Sequence, residues 1–176
     1  MPANKELDLK KYIRDIPDFP QKGIIFKDIT PLLGEPEALK AAVDKFATLY
    51  SKQKIETIVG IESRGFIFGA PLAYKLNVPF VPVRKKGKLP SKTISAEYSL
   101  EYGTSVVEIH EDAIKAGKNV LIIDDLLATG GTAAAAASLV VNLGSKVVGL
   151  AFLIELKVLK GRDRLKGYAV NSLITY

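Results

Sequence analysis

From residue 57 onward the chain alternates short runs of β-branched and other apolar residues with longer segments whose apolar positions recur at helical spacing. The runs at 57–61, 79–83, 105–110, 119–124, 146–154 and 169–174 predict strands. Segments 36–51, 65–76 and 130–143 predict helices, the last followed by Gly144, which suits a left-handed C-cap. Such alternation is the mark of a mostly parallel sheet flanked by helices, so the predicted fold class is α/β.

Two stretches break the rhythm. Residues 15–34 carry Pro17, Pro20, Gly23 and Pro31, and they predict a surface segment with at most a short strand at 24–26. Residues 85–102 are polar, interrupted by Gly87 and Pro90, and longer than the usual connection in a compact domain. They read as a candidate active-site lid, with a β-hairpin tip as the plainer alternative. No internal repeat is present, and the alanine run at 133–137 reads as helix.

At 176 residues, 48% hydrophobic and 25% charged, the chain predicts one domain, 1–176, with a core of its own. The absence of Cys removes disulfides, thiolate metal sites and cysteine nucleophiles. Neither a signal peptide nor a run of about 18 apolar residues is visible, so the expectation is a soluble, cytoplasmic protein without membrane partners. A formal charge of +6 favours anionic partners. Nucleic acid, a membrane surface and a small phosphorylated substrate all fit that charge; the basic residues are spread out rather than gathered on one helix as a nucleic-acid binder would have them, and the one cluster, at Arg84, Lys85, Lys86 and Lys88, reads equally as a solvated loop.

The string VLIIDDLLATGGT, residues 120–132, carries the chemistry. A buried strand runs into two carboxylates, then a loop of small residues, then a helix. At the C-terminal edge of a parallel sheet such a loop presents backbone N–H groups at a helix start, a nest for phosphate. Gly130 and Gly131 let the backbone approach, while Thr129 and Thr132 add hydroxyl donors that can also cap the helix. Asp124 and Asp125 would repel a phosphate, so their natural partners are hydroxyls such as those of a ribose; adjacent strand positions also suggest that they divide the work. A Walker loop is excluded because no Lys precedes the final Thr, and no Gly-x-Gly-x-x-Gly occurs.

This string resembles the phosphoribosyl-diphosphate motif of type I phosphoribosyltransferases. PDFPQKGIIFKDITPLL, GIESRGFIFGAPLA, VPVRKKGKLP and SAEYSLEYG narrow the resemblance to the adenine-specific family and extend it over essentially the whole chain. The resemblance implies the type I phosphoribosyltransferase fold, with a small N-terminal hood (1–34) and a flexible lid (85–102). It also implies transfer of a phosphoribosyl group from 5-phospho-α-D-ribose 1-diphosphate to adenine, with release of pyrophosphate.

By residue, the resemblance implies that Ala128, Thr129, Gly130, Gly131 and Thr132 hold the 5′-phosphate and that Asp124 and Asp125 meet the ribose hydroxyls. Ser63, Arg64, Arg84, Lys88 and Tyr102 fall to the diphosphate, with a cis peptide between Glu62 and Ser63. Backbone groups of Ile25 and Lys27 are assigned to the edge of adenine and Phe26 to its face; Lys27 stands where Arg is commoner in the family. Glu101 is the implied catalytic residue, managing a proton on the imidazole ring of the base. Magnesium is implied as cofactor, held mainly by substrate and water, and a homodimer as assembly. His110 is assigned no chemistry. Two alternatives remain at this stage: the same transfer to another purine base, and a phosphoribosyltransferase-like regulator that binds nucleic acid.

Overall fold

The computed structural model describes residues 7–99 and 103–176 and divides the chain into two compact units, Met1–Lys45 and Phe46–Tyr176.

In the first unit, strands β1 (Arg14–Pro17) and β2 (Ile25–Asp28) pair antiparallel, and helix α1 (Thr30–Gly34) follows with Pro31 in its first turn. Pro fits there because the N–H it lacks would have no helical partner. Helix α2 (Pro36–Leu49) runs across the unit boundary. The strand expected at 24–26 is thus found as β2. Its partner β1 and the short helix α1 escape the sequence pattern, since prolines and charges conceal segments of only four or five residues. Arg14 locks the ribbon by donating to Asp28 through Nε and Nη2 at 3.0 and 2.6 Å.

The second unit holds a seven-stranded sheet. Its strands are β3 (Thr57–Ile61), β4 (Phe80–Lys85), β5 (Thr93–Ser99), β6 (Thr104–His110), β7 (Asn119–Leu127), β8 (Lys146–Glu155) and β9 (Val170–Thr175), in the order β5-β6-β4-β3-β7-β8-β9. The pairs β4–β3, β3–β7, β7–β8 and β8–β9 are parallel, while β5–β6 and β6–β4 are antiparallel. Helix α3 (Arg64–Leu76) follows β3 and helix α4 (Gly131–Asn142) follows β7. The central strand β3 is buried at every position, as expected of a parallel strand covered on both faces. Ile122, Val59, Phe152, Leu139 and Val140 are among the residues of the main core cluster.

Strand β5 occupies part of the stretch that read as a lid or hairpin. It alternates Ile94, Ala96 and Tyr98, which pack on the core cluster, with polar Ser95 and Glu97, so the polar half of the strand masks a period of two. Gly144 behaves as expected: it is left-handed (φ 75°), and its N–H donates to Val141 O at 2.8 Å.

Candidate active site

Three parallel strands, β4, β3 and β7, end side by side, and the loops leaving them carry most of the residues singled out from sequence. Glu62 N–H donates to Val83 O at 2.9 Å, which places the turn after β3 beside Arg84. The start of α3 lies on the end of β7 because Gly65 has no side chain: a Cβ there would stand 2.7 Å from Ile123 O and 3.1 Å from the Asp124 Cα. Arg64 is thereby brought to Asp125. The Glu62–Ser63 peptide is cis, in agreement with the resemblance.

Asp124, Ala128, Thr129, Gly130, Gly131 and Thr132 line one cleft, together with Leu126, Leu127, Ala133 and Phe152. Gly130 is left-handed (φ 80°) and occupies the N-cap of α4, where no side chain caps the helix. The expected capping by threonine is therefore not found. With Gly at the cap, the first-turn N–H groups of α4 are left to a ligand, as an anion nest requires.

The two acids do diverge. Asp124 lines the cleft, accepting from the Asp125 N–H at 2.8 Å, whereas Asp125 is buried, with Oδ2 2.9 Å from Arg64 Nε. Oδ2 makes no well-aligned hydrogen bond, so Coulomb attraction alone joins it to the guanidinium. Both carboxyls are raised above the ordinary range, Asp124 further. Asp124 keeps some surface open, yet burial raises it most and repulsion from Asp125 adds to this; for Asp125 burial outweighs the attraction of Arg64.

A second charge cluster lies across the turn. Glu62, its side chain only 7% exposed, accepts from Lys88 Nζ at 2.6 Å, the Lys85 N–H at 2.9 Å, and Arg84 Nε and Nη2 at 3.2 and 3.4 Å. Burial pushes its carboxyl up, but the donors from Lys88, Lys85 and Arg84 prevail and hold it at about 2. Glu62 was not singled out from sequence; its place directly before Ser63 and Arg64 was the available signal. Each cation assigned to the diphosphate, Arg64, Arg84 and Lys88, thus rests on a carboxylate in this structure.

Ile25, Phe26 and Lys27 lie on β2 in the first unit, where Ile25 is exposed, Phe26 stacks edge-on with Phe19 at 5.2 Å and Lys27 Nζ donates to Asp15 at 2.7 and 2.8 Å. Glu101 and Tyr102 lie outside the described residues. His110, on β6, accepts from the Ser91 N–H at 3.4 Å.

Comparison with known proteins agrees with the fold. The family model "Phosphoribosyl transferase domain" matches residues 32–174. The adenine phosphoribosyltransferase of Thermotoga maritima is 60% identical over 171 residues, covering 97% of this chain and 99% of the relative. The crystal structure of the adenine phosphoribosyltransferase from Thermoanaerobacter pseudethanolicus superposes with a TM-score of 0.94 at 54% identity, covering 96% of this chain and 98% of that one. The enzyme from Saccharomyces cerevisiae, solved with an imino-altritol bisphosphate and adenine, gives 0.90 at 45% identity, covering 94% and 96%.

Proposed function

We infer the residue roles from the premise that this chain belongs to the phosphoribosyltransferase family and, within it, to the adenine phosphoribosyltransferases. It transfers the phosphoribosyl group of 5-phospho-α-D-ribose 1-diphosphate to adenine, giving AMP and pyrophosphate, a reaction of purine salvage. The observation that carries the assignment of roles is the uncapped start of α4, facing the same cleft as Asp124.

In this reading the 5′-phosphate sits on Ala128, Thr129, Gly130, Gly131 and Thr132, whose amides and hydroxyls neutralise it without a cation. Asp124 takes ribose hydroxyls directly. The diphosphate draws Arg64 from Asp125, which then serves as the second acid for the ribose, and it likewise draws Arg84 and Lys88 from Glu62. Ser63 and Tyr102 complete that end. Exchanging one set of counterions for another keeps the cations oriented before substrate arrives and limits reorganisation when it does.

Adenine is assigned to Ile25, Phe26 and Lys27. Ile25 and Lys27 are two apart on one strand, so their backbone N–H and C=O groups lie along the same edge, the spacing needed to meet a donor and an acceptor on a base. An oxo group in place of the exocyclic amine would set acceptor against acceptor. Glu101 is assigned the proton of the imidazole ring as the neighbouring nitrogen attacks the anomeric carbon, with Tyr102 beside it in the closing segment.

Magnesium suits the donors at hand, since Asp124 and the diphosphate offer hard oxygens and the chain has no thiol. Bound with the diphosphate, the ion would neutralise leaving-group charge, with substrate and water supplying most of its ligands. We assign the chain to the cytoplasm as a homodimer. Exposed Ile67 and Tyr74 on one face of α3 support the latter, and no helix among the described residues is long and apolar enough to cross a membrane. The domain is taken as 1–176, with 1–34 as hood and 85–102 as closing segment.

Pyrophosphate release measured with adenine, hypoxanthine and guanine tests the base assignment: adenine must turn over fastest, and a faster oxopurine removes Ile25 and Lys27 from their role. Glu101→Gln is expected to lower kcat more than it weakens the affinity for phosphoribosyl diphosphate. Unchanged turnover takes Glu101 out of the mechanism.

A further inference from the structure

The loop at 128–132 rests on a second backbone segment that no motif marks. Gly130 and Gly161 lie backbone against backbone: a Cβ on Gly130 would strike the carbonyl oxygen of Gly161, and one on Gly161 would strike that of Ala128 and come within 2.9 Å of the Leu127 side chain. Gly161 opens the 3-10 turn Gly161–Leu165, which contacts α4. This turn is the floor of the cleft's loop.

Arg162 holds the floor in place. Its Nε and Nη2 each donate to a different oxygen of Glu155 at 2.7 Å, and its Nη1 donates to Val170 O at 2.9 Å. Ser172 Oγ donates to the same carboxylate at 2.9 Å. Glu155 is buried at the end of β8, in register with Leu127 of β7, the last residue before the loop. The Leu156 N–H donates to Leu127 O at 2.9 Å, so strand end, turn and loop form one hydrogen-bonded unit. A two-pronged guanidinium–carboxylate pair fixes orientation as well as distance, which a single ammonium contact does not.

We propose that Gly161 and Arg162, through Glu155, are positioning residues for the 5′-phosphate: they fix the surface against which residues 128–132 aim their N–H groups. The proposal rests on the assignment of the 5′-phosphate to that loop. None of the three is among the residues that line the cleft. A nest binds phosphate only while several N–H groups converge on one point, so a displaced floor weakens the phosphate end of the site. The diphosphate end, built on β3, β4 and α3, keeps its geometry.

The test is calorimetric titration of AMP and of magnesium pyrophosphate into the wild-type protein and the variants Gly161→Ala, Arg162→Met, Arg162→Lys and Thr132→Val. Gly161→Ala and Arg162→Met are expected to weaken AMP by about tenfold, the equivalent of one charge-assisted hydrogen bond, with pyrophosphate affinity unchanged. Arg162→Lys, which keeps a cation beside Glu155, recovers part of the loss. Retained AMP affinity in Gly161→Ala and Arg162→Met, or equal loss of AMP and pyrophosphate, overturns the proposal. Thr132→Val separates the two levels: if it weakens AMP while the floor variants do not, only the positioning role falls, and if it too leaves AMP unaffected, the phosphate assignment falls with it.

Discussion

Asp124 is held against its own ionisation. Its carboxyl lies above the ordinary range through burial and through Asp125 next door, so this group costs the unliganded fold stability as pH rises past the ordinary carboxylate value. Asp124→Asn is therefore expected to raise the melting temperature of the unliganded protein by about 2–4 °C, for a gain of about 1 kcal/mol. The same change is expected to lower kcat/KM for phosphoribosyl diphosphate by about 10- to 100-fold, through loss of a charged acceptor for ribose. Thermal melts and steady-state rates on one preparation check both. Glu62 has the opposite sign. Held at about 2 against an ordinary 4.5, it contributes stability present above that ordinary value and lost as pH falls toward 2. Glu62→Gln is expected to flatten this part of the acid-unfolding curve, which denaturation between those values will show. That Asp124 would lie beside the glycine loop was legible in the sequence because both leave the same strand end, although two acids there also suit a plain charged rim. Glu62 was not, because its role depends on Lys88 and Arg84, and chain order does not announce that neighbourhood.

Among the elements, the parallel strands could be read in advance because burial on both faces demands uninterrupted apolar runs, as in TIVGI at β3 and NVLIID at the start of β7. Strand β5 could not, since half its residues face water and its apolar half includes an alanine. The short β1 and α1 lie below the length at which a period can be counted. The glycines of α3 were legible only as part of a motif, and the structure supplies their physical reason: Gly65 lets the helix lie directly on β7, where a Cβ would meet backbone, and Gly69 leaves room for the Phe80 ring of β4 and the Ile123 side chain of β7. Gly65→Ala is expected to cost about 1–3 kcal/mol of stability, as overpacking does, and to weaken pyrophosphate by pushing Ser63 and Arg64 away from β7. Denaturant unfolding and pyrophosphate titration check the two parts.

Over the whole molecule the charge of +6 belongs with a pair of substrates of which one is strongly anionic and the other neutral. KM for phosphoribosyl diphosphate is expected to rise with ionic strength while KM for adenine stays level, because salt screens the first encounter and has little to act on in the second. Equal salt dependence for both would remove long-range steering from the picture. The claim on which the other roles depend is narrower: a neutral cup of amides at the start of α4 holds the sugar phosphate while Asp124 meets the sugar. A crystal structure of the AMP complex tests it most directly. The phosphate should lie within hydrogen-bond distance of the N–H groups of residues 129–132, with a ribose hydroxyl on Asp124; a phosphate bound instead by Arg84 and Lys88, with the loop empty, would contradict it.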